Sequence, residues 1–157
     1  MSLSDWQKNG WLKPHQTQQV EIKRLFDVIE RDLRVSGDRK MDADWRFVAA
    51  YNAALQSANV ALHASGFEAA KGGGAHHYTI ESLKLTIAAS AELVDELQAF
   101  MSKRGGAVYE MTGIATETEI DGLRKLAIEL RDRARAWLEK THPSLASAAS
   151  KSPPKRK

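Results

Sequence analysis

Apolar residues recur every three or four positions along four separate stretches of this chain, a spacing that gathers them on one face of a helix. The first stretch carries Ile22, Leu25, Phe26, Ile29 and Leu33, between Thr17, a suitable N-cap, and the stop signal of Ser36 and Gly37. The second opens at Asp42 or Asp44, runs through Phe47, Tyr51, Ala54, Leu55, Ala58 and Leu62, and ends near Gly66. A third begins at Thr79 with Ile80, Leu83 and Ile87, breaks weakly near residues 88–90, and resumes with Leu93, Val94, Leu97, Phe100 and Met101. Gly105 and Gly106 are predicted to end it, leaving Lys103 and Arg104 beside the C-terminal dipole. The fourth starts at the capping box Thr116 and Glu119 and repeats through Ile120, Leu123, Ala127, Leu130, Ala134 and Trp137 to His142 and Pro143. No segment alternates convincingly enough for a strand, and no internal repeat suggests a solenoid. The pattern predicts an all-α fold, a four- to five-helix antiparallel bundle.

The chain's 157 residues suit one core and are too few for two ordinary ones. Without cysteine there is no disulfide framework, thiolate zinc site or cysteine nucleophile, and a reducing compartment is the simplest setting. No apolar run reaches the ~18 residues of a membrane helix, so the expectation is a cytoplasmic protein with no membrane partner. The net charge of +3 is misleading, because Lys151, Lys155, Arg156 and Lys157 supply four positives and leave residues 1–150 one unit negative. A nucleic-acid surface on this body must therefore be a local cluster. The bundle is placed at residues 1–145, with an N-terminal arm over 1–16 whose Trp6 and Trp11 pack onto it. Residues 146–157 read as a disordered basic tail, the end of a Ser-, Ala-, Pro- and Lys-rich run from Ser144.

Few motifs carry chemistry. The Gly-rich run over residues 71–77 reads as a flexible connection, since no strand is expected before it and no Gly-Lys-Ser/Thr follows. His76 and His77 are adjacent and cannot share a helix face, and no His-x-x-x-His or Glu-x-x-His spacing includes either of them, so neither metal nor cofactor is expected. Asn52, Gln56, Asn59 and His63 follow one another at helical spacing and line uncharged polar groups along one face, which either borders a cleft or meets solvent. His63 alone is more often a satisfied structural histidine than a ligand-binding one.

Several runs resemble small prokaryotic HEPN-domain proteins: Trp11 to His15, Glu30 to Leu33, Asp44 to Phe47, Tyr51 to Gln56, Leu62 to Phe67 and Gly74 to Tyr78. The likeness covers roughly residues 11–145. It implies a helical bundle, commonly dimeric, that binds nucleotides or RNA. Many such proteins are metal-independent ribonuclease toxins, paired with a nucleotidyltransferase antitoxin and built on an arginine followed four to six residues later by a histidine. In the place of that motif this chain has Lys103, Arg104, Gly105, Gly106, Ala107, Val108, Tyr109 and Glu110.

The resemblance thus implies Arg104 and Tyr109 as the catalytic pair, with Lys103 and Arg104 on RNA or nucleotide at a dimer cleft, and the polar face of the second helix adds Asn52, Gln56 and His63 as candidates for the same ligand. Metal-free RNA cleavage needs a cation on the scissile phosphate and groups able to move protons near neutral pH. The planar fork of Arg104 suits the first role. Tyr109 stands where the histidine would be, and a phenol that titrates near ~10 is a poor base at neutral pH. Binding with slow or absent cleavage is the expectation. Two readings compete with it: a non-catalytic module that holds a partner protein such as an antitoxin, with Lys103 and Arg104 only capping their helix, and a DNA-associated protein acting through the basic tail.

Overall fold

The computed structural model describes the backbone of residues 1–109 and 115–150, and the side chains of 1–104 and 115–146. The chain is an all-α bundle built around one central helix. In order come α1 (Leu3–Lys8), β1 (Leu12–Pro14), α2 (Gln19–Gly37), α3 (Ala43–Ala64), β2 (Phe67–Ala69), α4 (Ala75–Glu81), a single 3-10 turn (Ser82–Lys84), α5 (Ala91–Tyr109), α6 (Glu117–Thr141) and α7 (Pro143–Ser150). No described helix is long and apolar enough to cross a membrane.

Helix α3 is buried on most of its circumference, from Phe47 through Ala50, Tyr51, Ala54, Ala58, Ala61 and Leu62. Its alanines make this packing feasible, because small side chains let neighbouring helices approach closely on several sides. Helices α2, α5 and α6 close over it, bringing Ile22, Phe26, Ile29, Leu97, Ile120, Leu123 and Leu130 into one core. Polar pairs fix the antiparallel register of α2 and α3: Glu21 meets His63, Asp32 meets Asn52, and the Ser36 carbonyl meets Arg46.

The C-terminal end of α2 is capped by two arginines from elsewhere in the chain. Arg46 is 2% exposed; its Nε donates to the Ser36 carbonyl at 2.9 Å and its Nη1 to both Glu117 oxygens at 2.9 Å. Arg124 donates to the Ser36 hydroxyl at 2.9 Å and to the Leu33 carbonyl at 3.4 Å. The Leu33 carbonyl also accepts from the Ser36 hydroxyl at 2.8 Å within α2, while the Ser36 carbonyl in the last turn meets a cation, the sign the helix dipole favours. Arg124 lies so close to Gly37 that a Cβ there would come within 2.9 Å of its Nη2.

The sequence-based reading needs four corrections. First, beyond a short helix before Pro14 the N-terminal arm holds a strand, and β1 pairs antiparallel with β2, with Lys13 opposite Glu68. Strands of three residues are too short to display alternation, and Pro14 is tolerated because each strand of a two-stranded ribbon is an edge. Second, helix resumes at Ala75 rather than Thr79, so His76 and His77 are helical. Tyr78 of that helix stacks on Trp11 at 4.9 Å, and Trp6 packs edge-on against both rings, which docks the arm as expected. Third, α5 runs through Gly105 and Gly106 to Tyr109, so Lys103 and Arg104 do not sit at its last turn. Fourth, the run from Ser144 begins as helix α7, with Pro143 at the first helical position, where its missing N–H costs nothing, and Ala146 in the core. The rest of the predicted tail, residues 151–157, lies outside the described residues. The break before α5 is real and falls at Ala88, whose φ of 57° is left-handed.

Candidate functional site

Helix α5 carries Arg104 over the face of Tyr51 on α3, with the guanidinium 5.5 Å from the ring centroid. Beside this pair opens a cleft of about 320 Å³ between α2, α3 and α5, walled by Arg31, Asp32, Val35, Met41, Trp45, Val48, Ala49, Asn52 and Arg104. Trp45 is 59% exposed and Met41 41%, so the cleft opens apolar surface to solvent beside the exposed Arg31. Asp32, itself buried, is held between two donors, Arg31 Nε at 2.9 Å and Asn52 Nδ2 at 2.7 Å. Arg104 has no carboxylate partner among the described residues.

The Tyr51 hydroxyl is buried with no hydrogen-bond partner among the described residues. Burial pushes its pKa up to about 12, opposed by the Arg104 charge. His76 lies against the same ring, 6.4 Å between centroids. Burial and then the Arg104 charge hold its imidazole below the usual histidine range, so it is neutral at physiological pH. Sequence spacing could not find this Tyr51, His76 and Arg104 cluster, because the three residues come from three elements far apart in the chain.

The residues named from the sequence separate into groups. Arg104 and Asn52 share the cleft. Gln56 donates to Asn52 Oδ1 at 3.1 Å and accepts from Asn59 at 3.0 Å, so the polar face of α3 is a hydrogen-bonded ladder that positions Asn52. Lys103 points away and pairs with Glu119 Oε2 at 2.7 Å, joining α5 to the capping box of α6. The Tyr109 side chain lies outside the described residues. His63 is eleven residues from Asn52, roughly 16 Å along the helix axis, and does not belong to the cleft.

His63 belongs to a second polar cluster where the ribbon, the start of α2 and the end of α3 meet. His63 Nδ1 lies 2.8 Å from Glu21 Oε2, and His15 Nε2 lies 2.7 Å from the same oxygen. His15 Nδ1 faces Glu68 Oε2 at 2.5 Å. Burial pushes the His63 imidazole below its usual range, opposed by its bond to Glu21. The donor atoms of His15, Glu21 and His63 all lie within 4.8 Å of one another, a grouping able to hold a cation.

Compared with protein-family models, curated proteins and solved structures, the chain has no significant match.

Proposed function

We propose that the Arg104 cleft binds RNA or a nucleotide, the role the HEPN resemblance leads one to expect. The observation that carries this reading is one cleft pairing an exposed indole with a guanidinium that lacks a carboxylate partner among the described residues. A base stacked on an aromatic face contributes about 1–3 kcal/mol, and an arginine fork grips phosphate through two hydrogen bonds. Trp45 and Arg104 supply these two functions, and Asn52 offers a polar edge held in place by Asp32 and Gln56. A homodimer belongs to the reading, as the HEPN resemblance leads one to expect, with the Trp45 face left open to the base.

Metal-independent cleavage at this cleft would use Arg104 on the phosphate and a neutral base within reach of the 2′-hydroxyl. His76 packs against the Tyr51 ring next to the cleft rather than in its wall, and an imidazole suits proton transfer better than a phenol does. The second reading, a non-catalytic surface for a partner protein such as an antitoxin, draws on the exposed Trp45 and Met41 alone.

Fluorescence separates the two. Titration with single-stranded RNA should quench tryptophan emission, and Trp45→Phe should remove most of that quenching. Unchanged emission, with no RNA bound, would favour the partner-protein surface.

A further inference from the structure

We propose that His15, Glu21 and His63 form a zinc site that clamps the N-terminal ribbon to the bundle, with Glu68 orienting His15 from behind. Two imidazoles and one carboxylate are a donor set zinc takes, with a fourth tetrahedral position left for water. The three ligands come from three places: His15 directly follows β1, Glu21 lies in the first turn of α2, and His63 in the last turn of α3. Their donor atoms already converge, with Glu21 Oε2 2.7 Å from His15 Nε2 and 2.8 Å from His63 Nδ1. Zinc bonds of about 2.0–2.1 Å set tetrahedral donors about 3.3 Å apart, so the site needs only a small outward shift of these partly buried side chains.

Glu68 cannot share the ion, because it faces Nδ1, the nitrogen of His15 turned away from Glu21. It stands where metal-bound histidines usually find a carboxylate, receiving the second ring proton and fixing the tautomer. Both nitrogens of His15 face carboxylates, so hydrogen bonds on both sides need a doubly protonated ring, whereas a metal on Nε2 leaves one proton to donate. The Thr17 hydroxyl donates to the His63 carbonyl at 2.6 Å and anchors the end of α3 that carries His63.

The test uses the full-length chain without an affinity tag. Calorimetric titration with zinc should give one ion per chain, and the melting temperature should rise with zinc concentration, since an ion that binds only the folded state stabilises it. His15→Ala and His63→Ala should each abolish both effects, and Glu68→Gln should weaken binding about 10–100-fold without abolishing it. Replacing both His76 and His77 by Ala should change neither. If an alanine variant fails to fold, cobalt bound to the wild-type chain still decides the matter: intense visible absorption of a tetrahedral centre supports the site, and a weak octahedral spectrum overturns it. Zinc binding that survives His15→Ala, or a melting temperature indifferent to zinc, would also overturn it.

Discussion

Arg104 connects the buried and open sides of the candidate site, so the residues around it report on its charge. Burial is the larger cause that holds His76 down and the Arg104 charge the second; replacing Arg104 with Met removes the second, and the His76 titration followed by NMR should move up part of the way toward the ordinary histidine range. The sign of the stability effect follows from the same shift. An imidazole whose folded pKa is lowered takes its proton first in the unfolded chain, so wild-type stability falls as pH drops below the usual histidine range. At alkaline pH both states are neutral and the group contributes nothing. Arg104→Met should soften that acid sensitivity. A His76 titration that does not move would place the guanidinium elsewhere in solution. Tyr51→Phe makes the complementary case: it removes a buried hydroxyl with no partner among the described residues, so stability should stay within about 1 kcal/mol of wild type or rise. A larger loss on denaturant unfolding would reveal a hydrogen bond to that oxygen.

At the scale of elements, two joints hold the bundle together, and neither was legible as a joint in the sequence. Arg46 reads there as a charge in the second helix, yet it is buried and caps α2 through the Ser36 carbonyl while binding Glu117. Arg46→Ala should cost about 2–3 kcal/mol in chemical denaturation, since it strands a buried carbonyl; half-exposed Glu117 keeps the figure below that of a fully buried pair. A change below about 0.5 kcal/mol would mean that water replaces the guanidinium without loss. Helix α7 was obscured by composition, because Ser, Ala and Pro without an apolar stripe look like tail. What orders it is packing, with Ala146 in the core and Leu145 against it, over α2 and α6. Removal of residues 151–157 should leave the melting temperature unchanged within a degree or two, whereas truncation after His142 should lower it by several degrees. Equal melting temperatures for the two truncations would remove α7 from the domain.

The whole molecule divides into a part that periodicity reveals and a part that only the assembled fold reveals. The apolar stripes of α2, α3, α5 and α6 predicted the bundle, and the capping box of Thr116 and Glu119 located the start of α6. The face formed by Asn52, Gln56, Asn59 and His63 was also visible, but not its division. Asn52 turns to the Arg104 cleft and His63 to His15 and Glu21, because α2 supplies a different acidic partner at each end. Contacts of this kind join residues far apart in the chain, and spacing within one helix carries no record of them. Helical α5 continues past Gly105 and Gly106 although each mid-helix glycine costs roughly 1 kcal/mol, so the two glycines were a misleading stop signal.

The central claim is that Arg104 meets a phosphate, and RNA affinity measured against salt concentration tests it most directly. Each phosphate contact releases condensed counterions, so wild-type affinity should fall as salt rises. Arg104→Ala should weaken binding by about 1–3 kcal/mol at low salt, flatten the salt dependence by about one contact, and leave the unfolding midpoint nearly unchanged. Equal affinity and equal slope for the wild-type and Arg104→Ala chains would contradict the account.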